Sequence, residues 1–236
     1  MKELPRIVEL AGPAGAGKTT LASMLEQSGM NILRADIPSW REPNRIPFYV
    51  RNTLTLLPAL MQMFYRRNGK WLQRWEVADM VILEGWPRML RRQAAACKEV
   101  LLLDQGPIYM LAAGQVIGSG VLNSPQADGW RRRMVRQWAN TLDMVIWLDA
   151  PNATLVSRVR GRDRWHGQKA RSERAAFKFL DDYRQAYEQI FSALVAERSD
   201  LRIVRFDSAR ASVEEVGSQV GAALGLDRHK QSNGSC

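Results

Sequence analysis

The segment Gly12-Pro13-Ala14-Gly15-Ala16-Gly17-Lys18-Thr19 constrains this chain more than any other. It fits the spacing G-x-x-x-x-G-K-[ST] and is followed by Thr20. The run Ile7-Val8-Glu9-Leu10-Ala11 before it reads as a buried strand. The run Thr20-Leu21-Ala22-Ser23-Met24-Leu25-Glu26 after it reads as a helix. Glycines let the backbone wrap so that successive N–H groups point inward and cradle phosphates. A helix starting near Lys18 adds the positive end of its dipole. Residues 12–20 are therefore read as a site for a nucleoside triphosphate. Lys18 reaches the β- and γ-phosphates there, and the Thr19 hydroxyl binds Mg2+.

The rest of the chain alternates strand and helix signals. That pattern implies an α/β fold, a parallel sheet with helices on both faces. Strands are expected at Arg6–Ala11, Asn31–Ala35, Val100–Asp104, Met144–Asp149 and Leu201–Phe206. Helices are expected from Lys18 to about Ser28, where Gly29 stops the helix, and over Phe48–Arg67 with Pro58 as a kink. Others are read at Lys70–Ala78, Trp130–Thr141, Ala153–Arg160, Ser172–Ala196 and Val213–Leu224. Met80-Val81-Ile82-Leu83 has strand propensity, but length and flanking pattern favour helix, with Pro87 opening a further turn through Ala96. Two prolines make Asp36–Pro43 a loop.

No repeat or long linker divides the 236 residues, so residues 1–226 are read as one domain and the polar residues 227–236 as a frayed tail. Cys97 and Cys236 give no disulfide framework, and a reducing cytoplasm is the simplest compartment. The first residues run straight into a strand, which leaves no room for a signal peptide. Val100–Leu122 is apolar but interrupted by Asp104, Gly106 and Pro107, which excludes a membrane span there. A net charge of +10 favours anionic partners. Solubility together with a phosphate site accounts for it, so nucleic acid and membrane partners are not favoured.

Several side chains can carry chemistry. Asp104 closes four apolar residues, and the carboxyl end of a parallel strand faces the ligand crevice. A nucleotide-bound Mg2+ needs such a carboxylate, so Thr19 and Asp104 are the candidate metal ligands. Asp149 ends a similar strand but precedes Ala150-Pro151, and is read as structural. Asp36 follows strand two and can accept the proton of an attacking hydroxyl or simply form a turn. Arg41 and Glu42 in the same loop can contact an acceptor. Arg158, Arg160, Arg162 and Arg164 alternate around Gly161, where a helix gives way to a loop. Such arginines can stabilise charge on a transferring phosphoryl group.

Together these residues resemble the P-loop nucleoside and nucleotide kinases, in the thymidylate kinase and deoxynucleoside kinase branch. Asp36-Ile37-Pro38-Ser39-Trp40 looks like the deoxynucleoside kinase stretch in which Glu-Pro and a Trp contact the acceptor, while Arg41-Glu42-Pro43 looks like the Arg-Glu-Pro of thymidylate kinases. Both registers stay open. Leu103-Asp104-Gln105 resembles the Asp-Arg or Glu-Arg motif at the end of strand three, with Gln105 where the family has Arg. Arg158–Arg164 resembles the LID, and Phe206-Asp207 the adenine-side loop.

The resemblance implies a three-layer P-loop NTPase fold, strand order 2-3-1-4-5, an acceptor-side helical region over about residues 44–98 and a LID over about 158–172. It implies an ATP- and Mg2+-dependent kinase acting on a nucleoside, nucleotide or other small acceptor. Lys18, Asp36, Asp104, Arg158, Arg162 and Arg164 would then be catalytic, and Arg160 would join residues 12–20 on ATP. Asp36, Trp40, Arg41, Glu42 and Gln105 would meet the acceptor. A neutral Gln105 weakens the case for a monophosphate acceptor. Dimers are common among such kinases, so a homodimer is compatible with the resemblance. The rival readings are a P-loop ATPase or switch acting on nucleic acid or protein, and a degenerate kinase that only binds ATP.

Overall fold

The computed structural model describes residues 6–39, 42–65, 71–97, 99–161 and 172–226. Trp40, Arg41, Arg162 and Arg164 lie outside the described residues, as do most of the expected LID and residues 227–236. Five strands form one parallel sheet: β1 (Ile7–Ala11), β2 (Ile32–Arg34), β3 (Val100–Leu103), β4 (Met144–Asp149) and β5 (Arg202–Asp207), in the order β2-β3-β1-β4-β5. Val8 pairs with Leu102 on one side and Met144 on the other, which puts β1 and its following loop at the centre.

Side chains of β1 alternate between two cores. Val8 and Leu10 face a cluster with α1 (Lys18–Gln27), α6 (Asn152–Arg160) and α8 (Val213–Leu224), including Leu21, Leu25, Leu155 and Val220. Ile7 and Ala11 face the opposite cluster. There α2 (Ile46–Tyr65), α3 (Arg74–Ala96), α4 (Pro107–Val116), α5 (Asp128–Ala139) and α7 (Glu173–Glu197) pack with Leu56, Trp86, Ile108, Trp138 and Tyr187 in contact. The two helical layers around the sheet make the three-layer P-loop architecture.

Three local expectations need revision. The helical reading of Met80–Leu83 holds, but the stretch joins the helices expected on either side of it into one, α3, which starts at Arg74 and passes through Pro87. Residues Met80–Pro87 are all buried, so packing on every side overrides the β-branched propensity of Val81 and Ile82 and the missing amide of Pro87. Gln73 and Glu76 form the capping box that sets its start. Helix α4 was not anticipated: inside the apolar stretch Val100–Leu122 the chain turns at Gly106 and enters helix at Pro107, its first position. Strand β2 is shorter than Asn31–Ala35, and β5 runs one residue further, to Asp207.

Candidate active site

The loop between β1 and α1 has the geometry its glycines permit. Gly15 has φ +91°, and a Cβ there would lie 2.7 Å from the Leu155 carbonyl oxygen, so no other residue fits without strain. Gly17 caps α1, whose first residue is Lys18. The Lys18 ammonium donates to the carbonyl oxygens of Gly12 (2.7 Å) and Pro13 (3.1 Å). The buried Tyr187 hydroxyl also donates to the Gly12 oxygen, at 3.3 Å, and bracing from α7 thus reaches the loop. Burial pushes the Tyr187 phenol well above its ordinary range, so it stays a neutral donor.

Two cavities flank this loop. The first, about 300 Å³, brings together Gly12, Pro13, Ala14, Lys18, Thr19, Asp104 and Gln105, with Tyr109 and Tyr183 across from them. Asp104 follows β3 and is 5% exposed. Its Oδ2 accepts from Arg34 Nη2 at 2.9 Å, while its Oδ1 is buried without a hydrogen-bond partner. A buried carboxylate oxygen without a donor costs free energy unless a ligand meets it. That orphaned oxygen, in a cavity shared with the Thr19 hydroxyl, fits a hard cation with oxygen ligands. The residues present are thus compatible with Mg2+.

Glu9 supports this cavity from behind. It is the lone acid in an otherwise apolar strand and is fully buried. Both its carboxyl oxygens accept from the Ile108 N–H at 3.1 Å, and Oε1 also accepts from the Tyr109 N–H at 3.2 Å. These are first-turn amides of α4, which have no partner within the helix. A Cβ on Gly106 would lie 2.4 Å from the Glu9 carboxyl carbon, so the turn after Asp104 approaches this close only with glycine. Burial pushes the Glu9 pKa up to about 8, against the lowering by those amides and by the Lys18 charge.

The second cavity, about 380 Å³, lies on the other side of the loop between Gly15, Ala16, Gly17, Thr20 and the turn after β5. Arg158, in the last turn of α6, spans it by donating to the Ser208 carbonyl oxygen (2.8 Å), Ser208 Oγ (3.1 Å) and the Gly15 carbonyl oxygen (3.4 Å).

The remaining expected residues are scattered. Asp36 is exposed just beyond β2 and lines neither cavity. Glu42 is exposed and pairs with Arg45 at 3.0 Å. Arg160 is exposed at the end of α6 and lines neither cavity. Asp149 is held by Arg184, Nε to Oδ2 at 2.7 Å and Nη2 to Oδ1 at 3.0 Å, in keeping with a structural part. Sequence reasoning missed Arg34 and Glu9. The signals were present: a charge ending a strand at the crevice side, and an acid interrupting four apolar residues.

A family model for an AAA domain matches residues 7–190. The chain belongs to this AAA-domain family. Comparison with curated proteins finds no match. Among solved structures, deoxyadenosine kinase from M. mycoides with bound dATP superposes with TM-score 0.53 at 16% identity, covering 93% of this chain and 99% of that one. Thymidylate kinase from Candida albicans superposes with TM-score 0.54 at 12% identity, covering 94% and 92%. The fold of this AAA-domain protein is therefore that of the P-loop nucleotide kinases over nearly its whole length.

Proposed function

We propose that the chain is a phosphotransferase that moves the γ-phosphoryl group of ATP to a small acceptor. The observation that carries this reading is the cavity in which Lys18, Thr19 and the partnerless Asp104 Oδ1 meet at the carboxyl ends of β1 and β3. In this reading the loop amides and Lys18 bind the triphosphate, with Pro13, Ala14 and Ala16 forming the loop wall. Thr19 and Asp104 hold Mg2+, which when bound neutralises charge on the phosphate oxygens. Thr20 and Arg158 line the nucleoside side, the second cavity. Arg160, exposed at the end of α6, would join them on ATP, and Arg162 and Arg164 would supply further positive charge to the transferring group.

The acceptor enters from the side walled by α4 and α7, where Gln105, Tyr109 and Tyr183 face the first cavity. Trp40, Arg41 and Glu42, which follow β2 in the sequence, are proposed to contact the acceptor. Asp36 is the candidate proton acceptor, with Asp104 as the alternative. The structural neighbours are named for a deoxynucleoside and for thymidylate, so nucleosides and nucleoside monophosphates are the first acceptors to try. A cytoplasmic location belongs to the same reading.

The test is ADP release from ATP and Mg2+ against pools of nucleosides, nucleoside monophosphates, sugars and amino alcohols, with Lys18→Ala as control. Release with one pool and not the others supports the reading and names the acceptor class. Release no greater than that of Lys18→Ala in every pool contradicts it.

A further inference from the structure

A third cavity lies between α3, α4 and α5, with about 20 Å³ of free space, room for one water-sized group. Trp75, Met80, Met110, Leu122 and Trp130 make its walls largely apolar. Two acids from one face of α3 line it as well, Glu76 and Asp79. Both oxygens of Glu76 are occupied: Oε1 accepts from the Ser119 N–H (3.0 Å) and hydroxyl (3.1 Å), and Oε2 from the Gln73 N–H (2.7 Å). Asp79 has no hydrogen bond or ion pair among the described residues. Burial and then the Glu76 charge push its carboxyl up to about 6. On α5, Trp130 is 3% exposed, and its Nε1 is buried without an acceptor. Arg131 also lines the cavity, but its guanidinium is bonded to Asp128.

We propose that this cavity is a subsite for a protonated amine on the phosphoryl acceptor, with Asp79 taking the ammonium group and Trp130 Nε1 donating to an oxygen beside it. The proposal rests on the phosphotransfer reading only in calling the occupant an acceptor. An acceptor atom and a donor atom, both unmet in one small space, define the chemistry that fits. An ammonium group is about the size of a water, carries only donors and supplies the charge that Asp79 lacks. Indole is the best aromatic neighbour for such a cation, and Trp75 and Trp130 both line the space. A hydroxyl or ether oxygen next to the amine accepts from Trp130 Nε1. The ligand class is therefore an amino alcohol or amino sugar. A water satisfies both polar atoms but leaves the carboxylate charge uncompensated among apolar walls.

The subsite adjoins the proposed site of transfer. Tyr109, in the first turn of α4, lines the first cavity, while the next residue, Met110, lines this one. The Asp79 charge reaches the Tyr109 phenol: burial first, and Asp79 second, push its pKa above the ordinary range. Apart from Lys18 on the phosphate loop, the described charged residues lining the two cavities are Glu76, Asp79, Asp104 and Arg131, with Arg131 offset by Asp128. Gln105 adds no charge. A phosphate monoester brought to this end meets like charge, whereas an amine relieves it.

Saturation-transfer difference NMR on the full chain without nucleotide compares three pairs of probes: ethanolamine with ethylene glycol, glucosamine with glucose, and phenylglycinol with styrene glycol. In at least one pair the amine is expected to bind roughly tenfold or more tightly than its neutral partner. Asp79→Asn is expected to weaken that amine by roughly the same factor, and Trp130→Phe severalfold, both with the wild-type circular dichroism. A neutral partner that binds as well as its amine, an amine whose binding survives Asp79→Asn, or no binding by any amine overturns the proposal. ADP release separates this outcome from that of the phosphotransfer reading. Release with amino alcohols or amino sugars supports both. Amine binding that needs Asp79, without release from any pool, keeps the amine site and removes phosphotransfer. Release with nucleoside monophosphates alone keeps phosphotransfer and overturns the amine subsite.

Discussion

Replacing Glu9 with Gln should change how stability depends on pH. The Glu9 carboxyl is fully buried and its pKa is pushed from 4.5 up to about 8 by that burial, despite the amides of Ile108 and Tyr109 and the nearby Lys18. Between these values the folded chain keeps a proton that the unfolded chain has released. Stability from this group is therefore fully present below about pH 4.5 and is lost as pH rises through about 8. One pH unit on the full slope is worth about 1.4 kcal/mol, so the interval from pH 6 to pH 8 removes about 2 kcal/mol. For a domain of this size that is a fall in Tm of about 6 °C.

Glutamine has nearly the shape of the neutral acid and can still accept from the two α4 amides, but it does not titrate. Thermal melts of wild type and Glu9→Gln in matched buffers at pH 6, 7 and 8 measure the difference. Wild type should lose about 6 °C more than the variant over that interval. Parallel curves would refute the reasoning. They would mean that the amides and Lys18 outweigh burial and that Glu9 is already ionised in the folded chain at pH 6.

Other substitutions test the two cavities separately. Gly15→Ala places a methyl group against the Leu155 carbonyl oxygen at a positive φ, and should cost about 2 kcal/mol or more in urea unfolding and abolish detectable ATP binding by calorimetry. Arg158→Ala removes three hydrogen bonds across the second cavity without touching Lys18 or Asp104. In steady-state kinetics it should raise the KM for ATP roughly tenfold and change kcat far less. Arg34→Met leaves the nearly buried Asp104 carboxylate without its cation, and should lower stability by about 2 kcal/mol at pH 7 in urea melts, with Arg34→Lys recovering part of the loss.

The phosphate loop was legible because its chemistry is local. Glycines, a lysine and a threonine at fixed spacing between a strand and a helix need no distant partner to be read. Asp104 was legible from the apolar run that ends in it. Strand order came through the resemblance, and the sheet follows it. Features that depend on distant contacts were harder to see. Helix α3 is continuous through Val81, Ile82 and Pro87 because its middle is buried on every side, which no window of local propensity reports. Helix α4 owes its start to Glu9, 99 residues earlier, whose carboxyl accepts from its first-turn amides. The ion pair from Arg34 to Asp104 likewise joins two strands 70 residues apart. Arg158 read as a residue of the LID, yet its guanidinium closes onto Ser208 beside the second cavity.

Transfer of radiolabel from [γ-32P]ATP into the acceptor identified by ADP release tests the central claim most directly. With Mg2+ present, label should appear in the acceptor at the rate at which ADP is formed. It should disappear in Lys18→Ala and fall steeply in Asp104→Asn, with both variants retaining the wild-type circular dichroism. Label released only as inorganic phosphate at an unchanged rate, or transfer that survives Lys18→Ala, would contradict the assignment of this cavity to phosphoryl transfer.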